Sequence, residues 1–492
     1  MYSKSIKKEV LSVKNKNIDE IKKVFDQNDY NINNILYDVM KIFNFQKICL
    51  QTAVIKECGY ELLEIITIMI MMPLMLIKSV NAFYDSGYKN ITEMKKDVIY
   101  RLKNNENMKW RKLQYGVCKQ FKKLTNQSKE IDPNSALIVD DTSNIKTGKT
   151  IENISIIHNH TSNQKSFNLG FKTLVLGYFD GKVMIPLDFS IHSEKKLKLK
   201  DRKKQYKKTC KKNSEGEKRR KECHVDKITN SLVMIKRAVK NGFVPKYVLA
   251  DSWFTSEKFI KTIREIKKGA LHVIAGIKMD KRNYEYKNQK VTGKELLKRL
   301  KQEGKAKRCR KWNIRYFEVV LCYKSIGSVK LFFCRFPYQK KWRVFISTDV
   351  NISFIQMMTV YKNRWVIEVF FKEVKQYLQF GKCHSRDFDA HIASTTLCFL
   401  LYTFLIYYRW MSAYKTLGIL FKSIKDDLCE KSVAERLWII FEELLDRITE
   451  AISESGSIDI LLFKKSKEYR DVKEVFESSF LSTQIFELVK VA

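Results

Sequence analysis

The residues best suited to chemistry lie in one segment, 361–375, which reads YKNRWVIEVFFKEVK. At about 100° per residue, four of its polar side chains share one narrow stripe of an α-helix, with apolar residues on the far side. A carboxylate flanked by cations suits a metal ion near a phosphodiester, because the acid can hold the ion while the cations hold phosphates. A surface helix with spaced ion pairs would give the same pattern, so both interpretations stay open. The four residues, spaced by three, four and seven positions, are Tyr361, Arg364, Glu368 and Lys375.

Further carboxylates follow two short apolar runs. Ala136–Val139 ends in Asp140 and Asp141, and Tyr247–Ala250 leads into Asp251. Strand ends and an adjacent helix can bring carboxylates together at the edge of a sheet, where the sites of α/β proteins usually form. Asp141 and Asp251 at the strand ends and Glu368 on the helix downstream would make three acids, which suit Mg²⁺. Two such ions about 4 Å apart could activate a water or a 3′-hydroxyl. A single Asp at a strand end is more often a turn or helix cap, and Asp251 fits that alternative well.

The elements that must position these acids alternate between strands and helices. Phe171–Phe179 and Val183–Ile191 are β-rich and are joined by an Asp-Gly pair, which predicts a hairpin. Val225–Lys240 and Ser256–Lys268 have helical periodicity and lie between apolar strands. This order predicts an α/β core with a mixed sheet. Residues 278–345 interrupt the core with further β-like runs at Trp312–Tyr323 and Ser328–Phe336, and the flanks on both sides are helical.

Composition and charge limit the possible partners and compartment. The 492 residues include 93 Lys and Arg against 54 Asp and Glu, a net charge of +39, which favours nucleic acid over an anionic membrane. The basic run 195–222 is expected to be a solvated loop or a phosphate-binding segment.

Eleven cysteines without CxxC spacing argue against a zinc site. No secretory signal is evident, so reduced thiols in a cytoplasm are expected. The apolar runs Ile65–Ile77 and Ile392–Tyr408 are shorter than the roughly 20 residues of a membrane span and predict buried helices.

Four separated motifs resemble those of DDE transposases of bacterial insertion sequences, specifically the insertion-sequence-four family with its Tyr-Arg-Glu-Lys signature. Besides segment 361–375, VDDT at 139–142 followed by KTGK resembles the segment of the first catalytic Asp. YVLADSWF at 247–254 resembles that of the second, and FISTD at 345–349 resembles the strand before the signature helix. GYFDGKVMIPLDFSIH at 177–192 also resembles two strands of that core, and the resemblance covers about 135–410.

The resemblance implies an RNase H-like core with Asp141, Asp251 and Glu368 as catalytic metal ligands for two Mg²⁺ ions, for which Mn²⁺ can substitute. In the family the Asp before Thr is the ligand, which selects Asp141 over Asp140. Strand alternation puts those two side chains on opposite faces, so only one should reach the metals.

The resemblance also implies contacts with DNA near the scissile phosphate. The residues expected to make them are Tyr361, Arg364, Lys372 and Lys375. Relatives stack a flipped base on an aromatic residue as a hairpin forms, and Trp312 and Trp342 are the candidates here. Whether a hairpin forms stays open.

The expected function is therefore a transposase that binds double-stranded DNA at the ends of its element, cleaves it and joins the ends to target DNA. It would act as a homodimer in the cytoplasm of a bacterial cell, at the nucleoid, and not at a membrane. A transposase-derived DNA-binding protein without catalysis, and a metal-dependent nuclease of the same fold, are the alternatives.

The chain is expected to divide into five regions. The first, 1–130, is basic and helical and would bind the DNA end. The catalytic core follows in two parts, 131–277 with a basic loop at 195–222, and 346–391, separated by a β-rich insertion at 278–345. The last region, 392–492, is helical and could dimerise.

Overall fold

The structure is a computed structural model that describes residues 36, 39–52, 59–86, 89, 92–125, 132–159, 166–280, 282–304, 306–412, 416–422 and 470. The chain divides into two compact units. The smaller unit comprises residues 1–51, 55–100 and 407–492, and the larger comprises 52–54 and 101–406. Most of the C-terminal region, which was predicted to be helical and to dimerise, lies outside the described residues.

The smaller unit is helical where it is described. Its helices include α1 (Phe45–Thr52), α2 (Leu62–Leu74) and α3 (Val80–Tyr84). Almost every residue of α2 from Glu64 onward is buried, which is the pattern of a helix that is apolar on all sides and lies in a core. The prediction of a buried helix here is confirmed.

The larger unit combines helices with one large sheet. Its helices, in chain order, are α4 (Lys96–Lys103, which begins in the smaller unit), α5 (Trp110–Thr125), α6 (Leu199–Lys203), α7 (Glu215–Glu222), α8 (Lys227–Lys240), α9 (Glu257–Glu265), α10 (Gly293–Gln302), α11 (Phe354–Lys362), α12 (Val366–Tyr377) and α13 (Phe388–Met411, which ends in the smaller unit). Its strands are β1 (Ala136–Ile145), β2 (Ser155–Asn159), β3 (Ser166–Phe179), β4 (Met184–His192), β5 (Tyr247–Ala250), β6 (His272–Ile277), β7 (Asn283–Tyr286), β8 (Gln289–Thr292), β9 (Lys307–Cys309), β10 (Ile314–Tyr323), β11 (Gly327–Arg335) and β12 (Arg343–Ser347).

The sheet is mixed, as predicted. Its main path runs β2-β3-β1-β5-β6-β12-β11-β10-β7-β8, with β4 paired to β3 and β9 to β10. Strand β1 is antiparallel to β3 and parallel to β5, and β5 is parallel to β6. Because β1 has a neighbour on each side, Ala136–Val139 are almost completely buried, as the continuous apolar run of a parallel strand requires. The polar end of β1 then emerges at the carboxyl edge of the parallel strands.

The β-rich insertion continues this sheet. Strand β12 pairs antiparallel with β6 on one side and with β11 on the other, and β11 pairs with β10. The strands expected at Trp312–Tyr323 and Ser328–Phe336 correspond to β10 and β11. Strands β7, β8 and β9 were not predicted, because each is only three or four residues long and buries a single side chain.

The segment with the Tyr-Arg-Glu-Lys spacing is not one continuous helix. Ser353 caps α11 by accepting a hydrogen bond from the Gln356 N–H at 3.2 Å. A 3₁₀ turn at Asn363–Trp365 then separates α11 from α12. The sequence pattern reads as one helix because both helices bury an apolar face, for example Val360 and Ile367. Since a 3₁₀ turn has about three residues per turn, Arg364 is rotated from the position it would have in a straight helix.

The basic run 195–222 differs from the loop that its charge predicts. It contains α6 and α7, and some of its cations are paired with carboxylates inside the larger unit. Arg220 bonds Glu152 at 2.7 Å and Asp389 at 2.8 Å, and Lys208 bonds Asp389 at 2.8 Å. These partners are distant in sequence, so charge patterning alone did not reveal the pairing.

Helix α13 is the one described helix that is long and apolar enough to cross a membrane by length and composition. Of its most apolar 18-residue window, 94% is buried inside the protein. That burial is typical of a core helix and confirms the prediction of a buried helix for Ile392–Tyr408.

Candidate active site

Strand register brings Asp140 and Asp251 side by side. Val139 of β1 lies opposite Ala250 of the parallel strand β5, so the next residue of each chain segment is an acid. Neighbouring strands are about 4.8 Å apart, which places these two carboxylates within electrostatic reach. The Asp251 Oδ1 accepts a hydrogen bond from the Trp253 N–H at 2.7 Å, which fixes the turn after β5.

Arg364 connects Asp140 to Glu368. Its guanidinium donates to the Asp140 Oδ2 at 3.3 Å and to the Glu368 Oε1 at 2.5 Å. The Arg364 side chain is 16% exposed and that of Asp140 is 19% exposed, so the contact is shielded from water. Glu368 lies in the first turn of α12, and α12 packs against β1. The structure therefore places Arg364 between Asp140 and Glu368, and it places Asp251 beside Asp140 at the ends of adjacent strands.

The surroundings of Asp140 disfavour its charged form. Burial is the main cause, and the negative charges of Asp251 and Asp141 act in the same direction; together they raise the pKa of Asp140 to about 7. The Asp141 N–H, which donates to the Asp140 Oδ1 at 2.8 Å, and the Arg364 charge oppose this rise. A buried acid in this state would be stabilised by an additional cation.

Asp141 faces the other side of β1, because successive side chains of a strand alternate. Its carboxylate is 2.6 Å from the Lys227 Nζ and 3.8 Å from the Lys172 Nζ. Lys172 is only 2% exposed, so Asp141 is the counter-ion of a buried cation. The structure thus brings Asp140, rather than the expected Asp141, to Glu368. Which of the two binds metal stays a prediction.

The other residues predicted to contact DNA have different surroundings. The Lys375 Nζ donates to the Thr142 Oγ1 at 2.6 Å and to the Ser143 carbonyl at 3.0 Å, so this cation lies over the end of β1. Burial, followed by the nearby charge of Lys172, lowers the pKa of Lys375. Lys372 is exposed. Tyr361 packs its ring edge-on against Phe345, with ring centroids 4.8 Å apart.

The two candidate stacking residues are both partly exposed and lie near lysines. The Trp312 ring has the Lys362 Nζ 5.6 Å from its centroid, and the Trp342 ring has the Lys301 Nζ at 5.4 Å. Trp342 also packs against Phe317 at 5.3 Å. Both rings therefore combine an aromatic face with a positive charge.

Sequence reasoning missed Lys172, Lys227 and Trp253. Trp253 lies within the YVLADSWF motif, two residues after Asp251, and this position was its only sequence signal. The Lys227 Nζ is 4.6 Å from the centroid of the Trp253 ring. The two lysines gave no signal, because their partner Asp141 is distant in sequence.

The acids have the donor chemistry of a magnesium site, since hard cations prefer carboxylate oxygens. In the part of the chain that the structure describes, no three His, Cys, Asp or Glu side chains are grouped so that they could hold a metal ion. The Arg364 guanidinium lies between Asp140 and Glu368 and supplies the positive charge there.

Two protein-family models match the chain. A transposase DDE domain matches residues 222–404, and a DDE superfamily endonuclease matches residues 82–310. Both matches support a DDE transposase. The matched segments together include Asp140, Asp141, Asp251 and Glu368. No protein of curated function matches this chain.

A DDE transposase accounts for the general features of the molecule. The mixed sheet with its helices agrees with the RNase H-like fold of the DDE superfamily, so the predicted fold class is confirmed. The two domains indicate an enzyme of the transposase or nuclease type, whose partner is DNA. Nucleases of this superfamily typically use divalent metal ions.

Proposed function

We propose that this protein is a transposase of the insertion-sequence-four type, which binds the ends of its element, cleaves the DNA and joins the ends to a target. The observation that carries the proposal is that Asp140 and Asp251 end adjacent parallel strands while Arg364 links Asp140 to Glu368, on the helix that packs against β1. These residues come from the three separate segments in which the family resemblance expects its catalytic acids. The net charge of +39 suits a polyanionic substrate.

In this proposal Asp140, Asp251 and Glu368 would hold two Mg²⁺ ions once Arg364 no longer lies between Asp140 and Glu368. When bound, the ions supply activation of a water or a 3′-hydroxyl and stabilise the departing oxygen. Asp140 replaces the expected Asp141 because its carboxylate shares Arg364 with Glu368, whereas Asp141 is paired with two lysines on the other face of β1.

Arg364 has two tasks in this mechanism. Without DNA its single positive charge reduces the repulsion between Asp140 and Glu368, both of which it contacts. When a DNA phosphate enters, Arg364 can form a bidentate contact with it, since guanidinium geometry matches phosphate as well as carboxylate. That exchange would leave both carboxylates available to a metal ion, so DNA binding would favour metal binding.

Lys375 is proposed to hold the DNA strand on the other side of the acids. Its ammonium is already oriented by Thr142 and Ser143, so little side-chain entropy remains to be lost when a phosphate binds. Lys372, one helical turn away and exposed, would contact the backbone farther from the cleaved bond. Trp312 and Trp342 stay candidates for a stacking role.

Joining two element ends to one target requires two active sites in a fixed relation. A symmetric dimer is the simplest assembly that provides them, and we propose that it forms on DNA. The expected setting is the nucleoid in a bacterial cytoplasm. Light scattering with and without end DNA tests the assembly.

The test uses a supercoiled plasmid that carries the reading frame with its natural flanking DNA. With Mg²⁺ we expect strand breaks with 3′-hydroxyl ends at the boundaries of the element, and joining of those ends to a second plasmid. Asp140→Asn, Asp251→Asn and Glu368→Gln should each abolish cleavage and keep DNA binding. Glu285→Gln, an exposed carboxylate on β7, is the matched control and should cut normally.

The alternatives give different products in the same assay. Cleavage at the boundaries without joining would indicate a nuclease of this fold. Binding to the boundaries without any cleavage by the wild-type protein would indicate a DNA-binding protein that has lost catalysis. Either result would overturn the proposed strand transfer.

A further inference from the structure

The exposed Lys and Arg side chains of residues 195–212, in the first part of the basic run, form a basic surface. We propose that this basic surface binds the phosphate backbone of duplex DNA, on the same duplex whose bond the acids cut. The inference rests on the proposed function and deepens it, because it adds a second contact with the substrate, away from the cleaved bond and independent of base sequence.

The cations of the basic run fall into two groups. In its second part they have acidic partners, as in the pair of Lys218 with Glu215 at 2.7 Å. In contrast, every Lys and Arg of 195–207 is exposed, and so are the lysines at 211 and 212. Within the part of the chain that the structure describes, none of these exposed cations has a carboxylate within 4.0 Å. The acid among them, Asp201, pairs instead with Lys149 at 3.2 Å. The protein therefore leaves this charge without compensation.

Hydrogen bonds hold the basic surface in place, unlike a solvated loop. The Lys195 backbone exchanges two hydrogen bonds with Ile156 of β2, at 2.8 and 3.0 Å. The Tyr206 N–H donates to the Thr150 carbonyl at 2.8 Å, and the Lys208 ammonium donates to two carboxylates at the start of α13, at 3.1 and 2.8 Å. Like charges held in this way repel one another, and the segment cannot spread into solvent to reduce the repulsion. A bound polyanion would reduce it.

The basic surface lies beyond the end of β1 that follows the acids. Tyr206 contacts Thr150 in the loop after β1, and Lys375 contacts Ser143 within β1. Because seven residues of chain span at most about 25 Å, these two contacts are no farther apart than that. At about 3.4 Å per base pair, the distance corresponds to about 7 base pairs of duplex. One duplex held by Lys375 can therefore continue onto the basic surface.

The composition of the surface favours a nucleic-acid backbone over bases or a membrane. Arg202 is its one arginine, and the remaining cations are lysines, which act on phosphates as point charges and lack the fork that reads a base edge. The large apolar side chains that it exposes are Leu199 and Tyr206. Helix α6 has five residues, so it is too short to present the apolar face by which a basic helix enters a membrane surface.

The salt dependence of DNA binding tests this inference. The probe is a fluorescein-labelled random-sequence duplex of about 30 base pairs, titrated against the full-length protein in chelator so that no cleavage occurs. In the test variant Lys200→Gln, Lys203→Gln and Lys204→Gln are combined. We expect the slope of log affinity against log salt to fall by about 0.9 for each lysine in contact, up to about 2.7. At about 0.1 M salt the same term lowers affinity about 8-fold per contact, relative to a 1 M reference.

Two matched variants separate charge from folding. Substitution of the same three lysines by arginine keeps the charge and should keep the slope. The control combines Lys240→Gln, Lys267→Gln and Lys268→Gln, which removes equal charge from exposed positions. Lys240 ends the helix before β5, and the other two lie in the turn before β6, so all three are near the opposite end of the parallel strands. This control should keep the wild-type slope. The thermal midpoint of the test variant should not fall, because the substitutions remove repulsion.

Three results would overturn the proposal. The first is a wild-type slope in the test variant, or an equal loss in the control. The second is unchanged duplex binding with weaker binding to vesicles of anionic phosphatidylglycerol, which would assign the surface to a membrane. The third is a test variant that binds fewer duplexes per chain at saturation than wild type, which would mean that the surface holds a separate duplex. All of these measurements are made without cleavage, so failure of the proposed transposase activity would be recognised separately.

Discussion

Asp140→Asn and Asp141→Asn should change the stability of the larger unit in opposite directions, although the two residues are adjacent in sequence. Asp140 is a buried acid near another carboxylate, and Asp141 is the counter-ion of the buried Lys172 and the half-buried Lys227. Each substitution keeps the size of the side chain and removes its charge. The pair therefore tests the electrostatics of the two faces of β1.

For Asp140 the magnitude follows from its pKa. Burial, which is the largest cause, raises this pKa from 3.8 to about 7. The folded state thus binds the proton more tightly than the unfolded state does, so stability is highest below pH 3.8 and is lost as the pH rises toward 7. At about 1.36 kcal/mol per pH unit, the loss is at most about 4 kcal/mol. Asn carries no charge, so Asp140→Asn should be more stable than wild type at pH 8 without metal, and this gain should shrink as the pH falls to 5.

For Asp141 the sign is reversed. Lys172 is 2% exposed, and its ammonium lies 3.8 Å from Asp141. Removing one partner of a buried ion pair typically costs about 3–5 kcal/mol, because the remaining charge is left without compensation. Lys227 keeps Glu194 as a second partner at 3.0 Å, so the cost should lie toward the lower end of that range.

Thermal unfolding of the full-length variants in chelator at pH 5 and pH 8 measures both effects. A change of about 3–4 kcal/mol corresponds to a shift of several degrees for a unit of this size. DNA strand cleavage is then measured at a temperature at which both variants are folded. We expect Asp140→Asn to be inactive and Asp141→Asn to be active. The reasoning is refuted if Asp140→Asn gains no stability at pH 8, or if Asp141→Asn is as stable as wild type. Cleavage by Asp140→Asn but not by Asp141→Asn would return the metal-ligand role to Asp141.

Three further predictions concern the metal and the DNA. Arg364→Ala should bind Mn²⁺ more tightly than wild type in calorimetry without DNA, because Asp140 and Glu368 lose their internal cation; equal or weaker binding would contradict the proposed exchange. Lys375→Ala should lower the slope of log affinity against log salt for duplex DNA by about 0.9, because one phosphate is no longer neutralised by a lysine. Lys298→Ala, at an exposed position on α10, should not change it, and an unchanged slope for Lys375→Ala would remove this residue from the interface. Excess chelator should abolish cleavage, and Ca²⁺ should support binding without cleavage because it tolerates looser geometry; cleavage that persists in chelator would rule out a two-metal mechanism.

Local patterns in the sequence determined most of the elements. Apolar runs and turn residues predicted the β3–β4 hairpin and the strands β1 and β5 that end in acids, and helical periodicity predicted α8 and α9. These features depend on residues within a few positions of one another, so a single sequence contains them. Short strands such as β2 were missed, because they contain too few apolar residues to show the alternation of apolar and polar residues that predicts a strand.

The tertiary structure decided which residues meet. Asp140 and Arg364 are 224 positions apart, and their contact depends on the strand register of β1 and on the packing of α12 against it. One step along β1 turns a side chain to the opposite face, so the choice between Asp140 and Asp141 required knowing which face each helix covers. The same holds for Lys227 and Trp253, which meet only because α8 begins next to the turn after β5. Sequence periodicity fixes the faces of an element, whereas only the pairing of distant elements fixes what those faces contact.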